Sequence, residues 1–139
     1  MTAVVTPNGQ SEVGTGWLDL VYGTGTGNLP LWESSILRMR EVLDEVLAWI
    51  PIWEADPVNA YRGAKAIVNV GAIEGGFGWR VSRTPHRTDL FLDVRVPPTK
   101  EMAVARAQVL DLVRALRERF PDFGVEGEVY VTAPGAEIA

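Results

Sequence analysis

The spacing of hydrophobic and polar positions changes several times along the chain, and each change predicts an element. Residues 17–22, WLDLVY, alternate: Leu18, Leu20 and Tyr22 share one face, and Trp17, Asp19 and Val21 the other. This predicts a strand ahead of a glycine-rich break. After Pro30, Ile36, Met39, Leu43, Val46, Leu47 and Ile50 recur at spacings of three and four, while Arg38, Arg40, Glu41, Asp44 and Glu45 fall largely on the opposite side. The pattern predicts an amphipathic helix that Pro51 should stop. Residues 51–63 hold two prolines and no period, as expected of a loop or a short irregular hairpin.

A second strand is predicted over Ile67 to Ile73, IVNVGAI, ending at Gly75-Gly76. From Asp89 to Val96, Leu90, Leu92, Val94 and Val96 point one way and Asp89, Phe91, Asp93 and Arg95 the other. Pro97-Pro98 should end that strand. Thr99 is the expected N-cap of a second helix with the stripe Met102, Ala105, Val109, Leu112, Val113, Leu116 and Phe120, closed by Pro121. A fourth strand follows over Val125 to Val131, where Val125, Val129 and Val131 alternate with Glu126, Glu128 and Tyr130.

The predicted order is β-α-β-β-α-β. In fold class this is α/β, an α+β two-layer sandwich of ferredoxin-like plan: a four-stranded antiparallel sheet with two helices on one face. The other face, carrying Asp93, Arg95, Glu126 and Glu128, is left open. At 139 residues the expectation is one domain over 1–139, with 1–14 as an N-terminal lead-in and 133–139 as a tail.

Thirteen basic against eighteen acidic residues give a net charge of -5, which argues against nucleic acid and anionic membranes as partners. No apolar run reaches the ~20 residues of a membrane span, and Met1 opens no basic-then-apolar leader, so a cytoplasmic location is the default expectation. With no cysteine and a single histidine, His86, the chain lacks the three ligands of a hydrolytic zinc centre. A serine triad fails as well, because no G-x-S-x-G elbow is present. Gly23-Thr24-Gly25-Thr26-Gly27-Asn28 has neither dinucleotide-loop nor P-loop spacing and reads as a loop. No catalytic residue and no metal ligand is therefore expected in this chain. What remains is basic: Arg80, Arg83, His86, Arg87 and Arg95 lie within sixteen residues of an otherwise acidic protein, and guanidinium groups bind carboxylates bidentately. Arg95 either offers such a fork or pairs locally with Asp93 or Glu126.

The run IVNVGAIEGG, then TPHRTDLFLDVRVPP, then an amphipathic helix resembles the lid domain of the zinc exopeptidase and deacylase family. That family includes acetylornithine deacetylases, succinyl-diaminopimelate desuccinylases, aminoacylases and glutamate carboxypeptidases. Its pattern N-V-G-x-I-x-G-G leads to a strand ending in D-x-R, here Asp93-Val94-Arg95, and the likeness covers nearly the whole chain. Trp17 to Tyr22, Gly23 and Pro30 resemble the first lid strand, its turn and the following helix.

The resemblance implies a non-catalytic lid and dimerisation domain, set between two halves of a metallopeptidase or amidohydrolase catalytic domain that lie outside this chain. It implies a homodimer, zinc only in that parent catalytic domain, and a carboxylate-bearing small-molecule or peptide substrate. Arg95 corresponds to the family's substrate-carboxylate clamp; Ser82, where many members have Asn, and His86 correspond less closely. The family's turn histidine is replaced near Gly27 or Asn28, and Thr6 stands before Pro7 where a zinc-binding Glu is usual. The alternative is a free-standing ferredoxin-like module that binds a small anion through Arg95 and the basic turn.

Overall fold

The computed structural model describes residues 1–6 and 33–131. Four strands, β1 (Thr2–Thr6), β2 (Val68–Gly75), β3 (Thr88–Val94) and β4 (Glu126–Val131), form one sheet in the order β2-β3-β1-β4. Every pairing is antiparallel. Two helices, α1 (Ser35–Ala55) and α2 (Met102–Arg119), lie between β1 and β2 and between β3 and β4 in the chain, and a 3-10 turn, Pro57–Asn59, follows α1. The result is a mixed α/β domain with an antiparallel sheet.

The period-two pattern of β3 is realised directly: Thr88, Leu90, Leu92 and Val94 are buried while Asp89, Phe91 and Asp93 are half-exposed. Ala3 and Val5 of β1, Val68 of β2 and Val129 of β4 join the same buried layer. From α1 come Met39, Val42, Val46 and Trp53, and from α2 Ala105, Val109, Leu112, Val113 and Leu116. Both helices thus cover one sheet face, and removing this apolar surface from water is what holds the layers together.

Several expectations are corrected. The strand between β3 and β4 is Thr2–Thr6, inside the segment read as a lead-in. Trp17 to Tyr22 and the glycine-rich loop lie outside the described residues. The first helix does not stop at Pro51 but runs to Ala55. Proline there forgoes its hydrogen bond to the preceding turn and crowds the carbonyl of Leu47, and the last turn is held in place by tertiary contacts. Trp53 is buried, its indole N–H donates to the Arg95 carbonyl at 3.2 Å, and the Glu54 carboxylate accepts from the Val68 amide at 2.9 Å.

The buried stripe of α1 is also rotated. Val42 is enclosed and Ile36 and Leu47 are not. Arg38, expected on the polar side, is buried, donating to the Asp122 carbonyl at 3.0 Å with its guanidinium 5.0 Å from the Phe123 ring centroid. Phe123 stacks in turn on Phe120. At the second helix Thr99 is not the cap. The Lys100 amide closes a turn on the Pro97 carbonyl, and the helix begins two residues later behind Glu101. Its end is as expected, with Arg117 and Arg119 in the last turn, where cations favour the helix C-terminus.

The β2–β3 ladder contains an irregularity at Gly71. Val70 faces Leu92 and Ala72 faces Phe91, so one extra residue sits in β2. Beyond it, Ile73 opposes Leu90 and Gly75 opposes Thr88, both on the helix-covered side. Gly75 has no room for a side chain: a Cβ there would stand 2.3 Å from Thr88 Oγ1 and 2.9 Å from Thr88 Cβ. Gly75→Ala is therefore expected to lower unfolding free energy by about 1–3 kcal/mol in urea titrations. Gly78→Ala, where nothing lies within 4 Å, should stay within about 0.5 kcal/mol of the parent. Equal losses at both positions would show that the contact with Thr88 is not the cause.

Candidate functional site

The connection from β2 to β3 carries Arg80, Arg83, His86 and Arg87, and its shape follows from local chemistry. Gly76 takes φ 76°, a left-handed conformation that glycine adopts without a Cβ penalty. Successive turns close with the Arg80 amide on the Phe77 carbonyl at 2.9 Å and the Arg83 amide on the Arg80 carbonyl at 3.3 Å. Phe77 is the hub. Trp79 meets it edge-on at 5.7 Å, the His86 ring lies 6.2 Å away, and the Arg83 guanidinium sits 5.5 Å from its centroid. The loop then docks on the start of α1, where the Ser35 amide donates to the Pro85 carbonyl at 3.0 Å.

Between this loop and the end of the sheet is a cleft of about 280 Å³ lined by Glu74, Gly75, Gly76, Phe77, Pro85, His86, Arg87 and Asp89. Arg87 donates through Nε to both Asp89 oxygens, at 3.0 and 3.3 Å, and this bond raises its pKa. His86 Nδ1 is shielded from solvent and has no hydrogen-bond partner among the described residues. Burial, then Arg83 and Arg87, lower the His86 pKa, so the imidazole is neutral at neutral pH. A neutral imidazole nitrogen without a partner beside guanidinium groups can accept from, or in its other tautomer donate to, a polar ligand seated in this cleft.

Ser82 is in the same loop, exposed at its second turn. Arg95 is elsewhere. It follows the C-terminal end of β3, while His86 precedes the N-terminal end, so the strand alone separates them by about 20 Å at ~3.3 Å per residue. Arg95 is exposed, and its Nε pairs with Asp93 Oδ2 at 3.1 Å; its amide donates to the Ile67 carbonyl at 3.0 Å. Ser82 and His86 are thus together in one loop, and Arg95 stands at the opposite end of the sheet. The role of Phe77 as organiser was not read from the sequence; the Gly75-Gly76 pair marked only a turn. Trp79 and Val81, 79% and 87% exposed at the loop tip, had no pattern to reveal them.

Among the described residues there is no grouping of three or more His, Asp or Glu side chains able to hold a metal ion. No described helix is long and apolar enough to cross a membrane. No protein-family model matches the chain.

Because the folded state disfavours protonated His86, the unfolded chain binds more protons below the ordinary value of 6.5. The stability tied to this residue is therefore complete above that pH and declines as the pH falls through it. Urea unfolding of the parent between pH 8 and pH 5 should show this decline, and His86→Gln should flatten it; unchanged slopes would remove His86 as its source.

Proposed function

We propose that the chain is a ferredoxin-like, non-catalytic dimerisation and lid domain of a zinc-dependent metallopeptidase or amidohydrolase, supplying a substrate-carboxylate contact to an active site built mainly elsewhere. The β-α-β-β-α-β order and the sheet order β2-β3-β1-β4 agree with that plan. Arg95 remains the carboxylate contact in this reading, with Asp93 holding its guanidinium until a substrate carboxylate engages it.

The observation that carries the self-association half is an apolar strip along one margin of the domain. Among the described residues strand β2 is a sheet edge. On its helix-covered side Ile73 is 49% exposed, and on α1 Ile36 and Leu47 are 47% and 48% exposed, with Leu43 half-buried between them. Spacings of seven and four residues put Ile36, Leu43 and Leu47 on one face of the helix. Ile36 Cδ1 approaches the backbone at Gly76, one residue past the end of β2, which joins the two halves of the strip. An edge with unpaired backbone groups flanked by apolar side chains suits a two-fold contact between copies, strand against strand and helix against helix.

The chain should sediment as a dimer at micromolar concentrations. Ile73→Glu or Leu47→Glu should shift it to monomer by at least about tenfold in dissociation constant while leaving the thermal midpoint nearly unchanged, since both side chains are half outside the core. A parent chain that remains monomeric at several hundred micromolar, or dimers indifferent to both substitutions, would overturn this reading.

The cleft at His86, lined also by Arg87 but not by Arg95, favours a second reading, a free-standing module that binds a small anion through the basic turn without the Arg95 contact expected from the sequence. Titration with acetate and succinate separates the two. Tight binding by the isolated chain, lost on His86→Ala and unaffected by Arg95→Ala, would favour the module.

A further inference from the structure

A second region with unsatisfied chemistry lies at the other end of the domain, in the groove between the two helices. One end is a shallow cleft of about 220 Å³ lined by Trp49, Trp53, Asp56, Asn59, Gln108 and Asp111, with Ile52 at the margin. Trp49 and Ile52 also line the adjoining stretch of groove, about 190 Å³, whose other walls include Ala48, Leu112 and Ala115. The groove is therefore apolar along its middle, with Asp56, Asn59, Gln108 and Asp111 at one end and the Glu45–Arg119 ion pair at the other.

The Gln108 end presents acceptors. Gln108 Oε1 is shielded from solvent with no hydrogen-bond partner among the described residues. An orphaned buried acceptor destabilises the fold unless a donor reaches it. Asp56 spends Oδ1 on the Val58 amide, and Asp111 spends Oδ1 on Arg114, which leaves each carboxylate a second oxygen. Both amide groups of Asn59 are engaged, Nδ2 with the Trp53 carbonyl and Oδ1 with Lys100 Nζ, so Asn59 shapes the wall without offering a free atom. The two indoles, 5.4 Å apart and tilted by 38°, supply π faces. Lys100, outside the cleft wall, already rests its ammonium 4.3 Å from the Trp53 centroid, so these rings accept a cation in this setting.

We infer that this groove binds a small primary alkylammonium, with the charged head donating to Gln108 and Asp56 against the Trp49 ring and the aliphatic chain lying over Ile52 and Leu112. The head group must carry N–H donors, because a quaternary ammonium would leave Gln108 Oε1 unpaired. The carboxylates of Asp56 and Asp111 disfavour an anion at this end, and the Arg119 guanidinium on the groove wall is paired with Glu45 at the other.

The test uses the whole chain labelled with nitrogen-15, following the indole N–H signals of Trp49 and Trp53 during titration with butylammonium, hexylammonium, tetramethylammonium and hexanoate. Hexylammonium should saturate these shifts in about the millimolar range. Butylammonium should bind more weakly by up to about fourfold per missing methylene, and hexanoate should leave the shifts unchanged. Gln108→Met and Asp56→Asn should each weaken binding about tenfold, with circular dichroism confirming that both variants are folded. No saturable shift with hexylammonium, an equal response to hexanoate or tetramethylammonium, or unaltered binding by both folded variants would overturn the assignment. A capped leucine-lysine-leucine peptide that binds more tightly than hexylammonium would overturn the small-amine assignment in favour of a protein side chain.

Discussion

The corner where Gly75, Thr88 and Ser35 meet decides how the two layers sit on each other. Ser35 Oγ and Thr88 Oγ1 are 2.8 Å apart and buried, so one hydroxyl donates to the other where water is excluded. Their closeness depends on Gly75, because any side chain there would occupy the space that the Thr88 side chain fills. The same Ser35 binds the Pro85 carbonyl through its amide. One residue at the start of α1 is therefore fastened both to β3 and to the loop that precedes it. The helix axis, the β2–β3 ladder and the His86 cleft share this fastening.

A second set of ties holds the far end. The Trp53 indole reaches the Arg95 carbonyl, Glu54 holds the Val68 amide, and Asn59 bridges Trp53 and Lys100. Helix α1 is thus pinned at both ends, along β2 and β3. Its middle is held by Met39, Val42 and Val46 in the common core. The outer flank of α1 is left with Ile36 and Leu47, and its side toward α2 with the apolar groove, so this one helix contributes to both surfaces given a role above.

The alternation of Leu90, Leu92 and Val94, and the helical spacing of Ala105, Val109, Leu112 and Leu116, made β3 and α2 legible, since both elements bury one uninterrupted apolar face. Less legible features came from contacts distant in sequence. Pro51 is tolerated because Trp53 finds a carbonyl 42 residues away. Arg38 is buried because Asp122 and Phe123 come to it across 84 residues or more, which no local periodicity records. Strand β1 is short and ends just before Pro7-Asn8-Gly9, so only Ala3 and Val5 mark its buried face. At the candidate site, the basic cluster was visible as composition. Its division into a His86 end and an Arg95 end was not, because a strand's length in space separates residues that look adjacent in sequence.

The irregularity at Gly71 gives a single backbone position leverage over assembly. If Gly71 were held in regular alternation instead of a bulge, the pattern from Val68 and Val70 would carry Ala72 and Glu74 to the helix-covered side of β2 and turn Ile73 to the open face. A carboxylate would then stand beside Ile36, and the margin of the domain would repel a second copy instead of accepting it. The character of that margin is thus written in the number of residues preceding it as much as in their identities. Deleting Gly71 would straighten the ladder and leave Ile73 opposite Leu90, whereas holding all eight residues of β2 in regular alternation would turn the same border repulsive.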